Sequence, residues 1–342
     1  MYHSNLLLTR QLLPCFHLLN TPVKLTRMKI SHLSLALLVA GTAWLTGCKK
    51  KEDATPAAPT EQVQQSQDNS DVRDEGDQLN SDVDEALKNY DDIRGGRVAA
   101  NQVCGCQISR SGRVVTLTFD GTTPCGSPSR TRGGVVTVEL VRGNRWSEQN
   151  AQLKITMQDY TVTRLNADPA KVRSVKLNGT KYLTNVRGHN WLAVVVGADS
   201  VEQLETGRNL RAEFRNGASF TFSLRRRVTW RIRPRSGAAN TIYFRAQGDT
   251  TIGQDQGVDT WGTNRNGQSY VGILSPAWSS NTFCGLWRPT AGTNTYKSGG
   301  NTLTFQAGVN EQGNPDGREC AFGYKVSWTL QGGQSGSVVQ GY

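Results

Sequence analysis

The chain has 342 residues, with 39 Lys and Arg against 28 Asp and Glu, a formal net charge of +11 and four histidines. With so few histidines, and with no phosphate loop, dinucleotide fingerprint or H-E-x-x-H motif, nucleotide-dependent and histidine-based metal chemistry have no foothold in this sequence. The charge is unevenly spread, and that spread divides the chain into a leader, an acidic segment and a basic body.

Leu33 to Leu45 is an apolar run of signal-peptide length, too short to cross a bilayer as a helix, and Met28-Lys29-Ile30 before it supplies a start and a positive flank. Leu45-Thr46-Gly47-Cys48 resembles the lipobox of a bacterial lipoprotein at every position. That resemblance implies cleavage before Cys48 and lipidation of its sulfur, with Met28 as the start and residues 1–47 as leader and signal peptide. Cys15, His3 and His17 then drop out of the product. Acyl chains contribute about 0.8 kcal/mol per buried methylene, so two or three of them hold a protein stably on a membrane. Lys49-Lys50-Lys51-Glu52-Asp53 resembles the basic-then-acidic signal that sends such lipoproteins to the cell surface, and a generic charged spacer reads the same way.

Residues 48–100 are expected to form an acidic tether. Thirteen Asp and Glu between Glu52 and Asp92 face five Lys and Arg between Lys51 and Arg97. Pro56 to Ser70 has few large apolar residues and is expected to be disordered, because little burial offsets its ordering entropy. Val83, Ala86, Leu87 and Tyr90 fall at helical spacing after Ser81, with Asp84 as in a capping box, and predict one short helix. Asp71 to Asp77 lacks the Gly and terminal Glu of a calcium loop.

Residues 101–342 carry 28 Lys and Arg against 15 Asp and Glu. Short runs rich in Val, Thr, Phe, Tyr and Trp, punctuated by Gly, Asn and Ser, predict an antiparallel all-β body, either sandwich-like or an extended meander. It is read as two halves, 101–235 and 236–342. Val115, Leu117 and Phe119 share a face, as do Val136, Val138 and Leu140. Leu153, Ile155 and Met157 begin a strand that continues through Tyr160 and Val162. Asn178-Gly179 predicts a type I′ hairpin pairing Val175 with Tyr182. Leu192 to Val196 reads as a core segment. At Asn216-Gly217 a two-residue turn would set Arg211 and Glu213 beside Phe220 and Phe222. A three-residue turn instead pairs Phe214 with Ala218 and gathers Leu210, Ala212, Phe214, Phe220, Phe222 and Leu224 on one face, with Gly217 left-handed.

Val228, Trp230 and Ile232 continue that apolar face, while Arg225, Arg227, Arg231 and Arg233 fall opposite. Arg226 interrupts the pattern and predicts a bulge or bend. The arginine stripe is a candidate site for anionic ligands such as acidic glycans. The alternative is a solvated face that discourages edge pairing and is covered by the acidic tether. Further on, Leu303, Phe305 and Ala307 mark a strand, and Phe322, Tyr324, Val326, Trp328 and Leu330 mark another. Residues 179–185 and 262–267 hint at a weak duplication.

Several of these features together resemble a group of β-rich lipoproteins of Bacteroidota over residues 100–340. They are Val114 to Phe119 with Cys125, Arg130-Thr131-Arg132-Gly133-Gly134, Asp159 to Val162 with Leu177 to Thr180, and Thr229-Trp230. Gly262 to Arg265, Cys284 with Trp287, and Cys320 with Gly323-Tyr324 complete the set. The resemblance implies the all-β fold and an envelope address, and it transfers no catalytic residue.

Export permits disulfides. Cys284–Cys320 is expected, closing a loop that stabilises by roughly 3–4 kcal/mol on the chain-entropy model. Cys125 is expected to pair with Cys106, with Cys104 as the alternative. Cys104-Gly105-Cys106 is not a C-x-x-C motif and has no histidine beside it, so no metal or redox site is assigned. His189 reads as a surface residue. Glu139, Glu148, Asp159, Asp249, Asp255 and Asp259 leave a glycosidase carboxylate pair formally open without identifying one. No cofactor and no nucleic-acid partner are expected. The leading expectation is a non-enzymatic module on the outer membrane, facing the periplasm or the cell surface, with the membrane as partner through the lipid. Trp261, Tyr270, Trp278 and Trp287 are candidate glycan-stacking residues. The alternatives are a carbohydrate-active enzyme or a binder of anionic glycan.

Overall fold

A computed structural model describes residues 60–91, 103–126, 129–189, 200–235, 238–285 and 288–342. The leader, Cys48, Leu192 to Val196 and Trp287 lie outside the described residues. Among the described residues one α-helix precedes sixteen strands. The helix is α1 (Thr60–Asp91), followed by β1 (Cys106–Ser111), β2 (Val114–Asp120), β3 (Arg130–Arg142), β4 (Gln152–Arg164) and β5 (Arg173–Asn185). Next come β6 (Val201–Phe214), β7 (Ser219–Arg235), β8 (Ala238–Gly248), β9 (Thr250–Ile252), β10 (Asp255–Thr263) and β11 (Ser269–Leu274). The chain ends with β12 (Trp278–Asn281), β13 (Gly292–Ser298), β14 (Asn301–Val309), β15 (Gly323–Thr329) and β16 (Ser335–Gly341).

The strands form one antiparallel meander in the order β1 to β7, β10, β11, β13 to β16, with β8, β9 and β12 as side branches. The all-β reading holds, in its extended-meander form. β7, which ends the expected first half at Arg235, pairs with β8 and β10 of the second. At Arg226 the expected bulge is replaced by a fork. Thr221–Leu224 of β7 pair with β10, whereas Arg226–Arg235 pair with β8. Leu224, Arg226 and Val228 remain in phase on one buried face. Arg226 is therefore an arginine at a core position, not a break in the alternation.

The Asn216-Gly217 turn takes the three-residue register, with Leu210 opposite Phe222 and Ala212 opposite Phe220. Gly217 has φ +80°. Asn178-Gly179 is not a hairpin, because β5 passes straight through it and pairs Met157 with Gly179. The two segments that hint at a duplication differ accordingly: 179–185 is strand interior, while 262–267 ends β10 and turns into β11.

What Gly179 belongs to is a line of irregularities crossing the sheet. β4 carries one extra residue against both neighbours around Asp159 (φ +49°), and β6 does the same around Asn209 (φ +52°). Between and beside them lie Gly179 and Gly134, where a Cβ on Gly134 would come within 2.2 Å of the Asp159 carbonyl oxygen. Bulges increase twist and bend a strand. Here they sit on β4 and β6 with β5 between them, on the part of the sheet whose inner face receives α1.

The helix corrects the tether. It begins at Thr60 and runs 32 residues, so Ser81 is a mid-helix residue and not a cap. Val72, Leu79, Val83 and Leu87 are buried in the main core with residues from β2 to β7, and Ala86 packs against it. Burying each Val or Leu contributes about 1.5–3 kcal/mol. Asp68, Asp71, Glu75 and Asp82 of α1 are buried as well. The segment holds ten Asp and Glu against two Lys and Arg, a net −8 (10 − 2), which opposes helix formation in isolation. The sheet supplies the countercharge.

Disulfides join Cys284 to Cys320, as expected, and Cys104 to Cys125. Cys106 is the free, buried thiol. As the first residue of β1 it sits opposite Phe119 and turns inward, whereas Cys104 lies in the preceding turn, which faces the 121–125 loop.

Candidate functional site

Two constellations collect the polar side chains, one on each face of the sheet. On the inner face, Asp68, Asp71, Glu75 and Asp82 follow each other at helical steps along α1. Arg265 donates to Asp68 at 2.6 Å, Arg164 to Asp71 at 2.9 Å and to Glu75 at 2.7 Å, and Arg130 to Glu75 at 2.9 Å. Arg132 pairs with Asp82 and lies 4.8 Å over the Phe119 ring. Arg226 reaches both Asp77 of α1 and Glu205 of β6. Glu205 also accepts from Lys181 at 2.7 Å and from Asn80 at 3.2 Å. Burial alone would push the Glu205 carboxyl up, but the Arg226 and Lys181 charges overrule it and hold it down at about 2. In the opposite sense, Arg73 of the helix donates to Asp259 of β10 at 2.6 Å.

Buried pairs of this kind gain little net stability after desolvation, yet breaking one strands a charge. The apolar stripe therefore stabilises the docked helix, and the ion pairs set its register. This constellation is a lining, closed by the protein's own residues.

The outer face is different. Cross-strand parity places Thr180 and Tyr182 of β5, Thr206 and Arg208 of β6, Arg225 of β7 and Trp261 of β10 on that side, since Lys181, Glu205 and Leu224 turn inward. With Thr250 of β9 and the Gly207 and Leu224 backbone they line a hollow of about 590 Å³. No carboxylate is among its lining residues. Its edge is fixed by the β6 bulge, where the Asn209 N–H donates to Ser223 Oγ at 3.2 Å. Ser223 lies directly opposite Trp261.

Of the expected site residues, the hollow brings together Trp261 and Arg225. Arg225 is held by Asp249 at 3.0 Å, and Arg227 is shared between Glu202 and Asp249. Arg233 stacks 4.9 Å over Tyr243, and Arg231 is half-buried. The stripe does lie opposite the apolar face, but it is not an open row of charges. Tyr270 is corrected outright: it is 2% exposed, packed edge-on to Phe220, and cannot serve as a platform. Trp278 is half-buried against Val228, Ala246 and Leu274. Among the carboxylates, Asp259 is buried with Arg73, Asp255 holds Lys297, and Asp159 accepts from Asn178. The His189 carbonyl accepts from the Asn185 side chain.

Tyr182 and Arg208 were missed. Their signals were present. The inward set Val201, Gln203, Glu205 and Gly207 changes parity to Leu210, Ala212 and Phe214, which marks a bulge at Arg208-Asn209. Once Asn178-Gly179 is read as strand, Tyr182 alternates outward between Lys181 and Leu183. Among the described residues no cluster of three or more His, Cys, Asp or Glu could hold a metal, and no helix is long and apolar enough to cross a membrane. No protein-family model, curated protein or solved structure matches the chain.

Proposed function

We propose that the protein is an envelope lipoprotein, anchored through Cys48, whose β body is a non-enzymatic carbohydrate-binding module. The observation that carries the binding reading is the outer hollow, where Trp261 and Tyr182 meet threonine and arginine side chains without any carboxylate. Carbohydrate recognition needs an apolar ring face for the sugar C–H surface and flanking polar groups for its hydroxyls. Glycoside hydrolysis needs two carboxyl groups across the bond. The hollow has the first set and lacks the second. The lipid address rests on the Leu45-Thr46-Gly47-Cys48 tetrad and on the resemblance to Bacteroidota lipoproteins.

A glycan array probed with the protein tests the binding reading: retention that is abolished by Trp261→Ala supports it, and the absence of any retained glycan overturns it. Turnover of a retained glycan would overturn the non-enzymatic part. Labelling with a palmitate analogue tests the address, and label persisting in Cys48→Ala would defeat it.

A further inference from the structure

Resting on that reading, we propose that the hollow selects carbohydrates bearing an anionic group, a carboxylate or a sulfate ester, with Arg208 as the clamp. Two arginines line it, and they are not equivalent. Arg225 is occupied, its guanidinium held by Asp249 at 3.0 Å. Arg208 is exposed, and among the described residues no carboxylate stands within ion-pairing distance of it. Of the two charges in the lining, Arg208 is therefore the one that no carboxylate offsets.

The backbone under Arg208 is fixed. It occupies the β6 bulge beside Asn209 at φ +52°, and that bulge is tied to β7 through Ser223 Oγ. A bulge re-aims side chains at a defined point of a sheet, so the clamp stands on a rigid base although its side chain is solvated. A guanidinium offers a planar fork of donors that matches a carboxylate or sulfate, and a neutral hydroxyl uses only one of them. A sugar ring resting on Trp261 or Tyr182 would hold its charged substituent within reach of that fork. Inner-face arginines are consumed by α1, so their charge is not available to the same ligand.

The test is titration of the detergent-solubilised full-length protein with an oligogalacturonate, its methyl-esterified neutral counterpart, and a heparin oligosaccharide. The acidic forms are expected to bind about tenfold or more tighter than the ester, and Arg208→Ala to remove that preference while leaving weak binding of the ester. Arg208→Lys restores part of the preference. Arg318→Ala removes the same charge from the loop before β15 and should leave it intact. Preference for the carboxylate arm over the sulfate arm, or the reverse, identifies which anion fits.

Equal affinity for acidic and esterified forms, both lost in Trp261→Ala, overturns the anionic clamp and leaves the carbohydrate-binding reading standing. Equal weakening by Arg208→Ala and Arg318→Ala overturns it too, as diffuse electrostatic attraction. Binding of none of the three overturns the anionic clamp, and the glycan array decides the carbohydrate-binding reading by itself.

Discussion

Lys181 Nζ lies 2.7 Å from Glu205 Oε1, diagonally across β5 and β6, with both side chains sealed from solvent. Glu205 simultaneously receives Arg226, which reaches on to Asp77, so four charges from three strands and the helix form one chain of contacts.

Removing one member should cost far more than removing two. Glu205→Leu leaves Lys181 without its carboxylate in the core and is expected to lose about 3–5 kcal/mol. Glu205→Leu with Lys181→Met removes the stranded ammonium, while Arg226 keeps Asp77. Urea melts should place the double variant closer to the wild type than the single. A double variant less stable than the single would contradict this account.

The same interface sets an unusual pH response. Burial pushes the Asp68 and Asp82 carboxyls up from 3.8, and their arginines offset this only in part. A raised folded-state pKa means that protonation favours the fold, so these two groups add stability as the pH falls. Glu205 acts in the opposite sense: held at about 2 against an ordinary 4.5, its contribution is complete above 4.5 and lost as the pH falls towards 2. The unfolding temperature is expected to hold or rise from neutral pH down to 4.5 and to fall only below it. Calorimetry showing a steady decline across the neutral-to-4.5 range would be the wrong sign.

Two glycines with similar φ separate strain from collision. Gly217 has φ +80° and open space around it, and Gly217→Ala should cost about 1 kcal/mol from backbone strain alone. Gly134 has φ +94°, and its added Cβ would meet the Asp159 carbonyl at 2.2 Å. Gly134→Ala should therefore cost roughly 3 kcal/mol or more. Denaturant midpoints of the two variants decide it, and equal losses would mean that β3 and β4 can part at the bulge.

Burial pushes the Cys106 thiol up to about 11, despite the charge on Arg132. Maleimide at mildly alkaline pH should spare Cys106 in the native protein and label it once the chain is unfolded. Peptide mapping before reduction should recover Cys104 joined to Cys125. Recovery of Cys106 joined to Cys125 would reverse the assignment.

How much of this was legible depended on whether the deciding interaction was local. The 215–217 turn could be read because a one-residue slip would have sent the three apolar side chains of one strand to the wrong face, and only one register kept all six together. The bulge at Asp159 left a trace as well, in the parity change from Met157 to Tyr160, but Asn178-Gly179 looked like a hairpin because a glycine at positive φ serves a kinked strand as well as a turn. Arg226 and α1 defeated local reading for one shared reason. An arginine in an apolar alternation looks like an error, and a segment with ten carboxylates looks unable to fold, until each is set against the other. Their separation of 149 residues, from Asp77 to Arg226, hides the match. The hollow was half legible: Trp261 and Arg225 were named for separate reasons, and only the sheet register unites them.

The position of α1 in the chain has a kinetic consequence. It is the first described element from the amino terminus, yet its partners extend to Arg265, 197 residues beyond Asp68. Until those arginines are assembled, the helix carries uncompensated charge and exposes its apolar stripe, so it cannot nucleate the body. Contacts this distant in sequence form late. This early segment should be the last to gain protection in pulsed hydrogen exchange, with amides of residues 60–91 closing only after the β3–β7 sheet. Early protection there would mean that the helix recruits the strands instead.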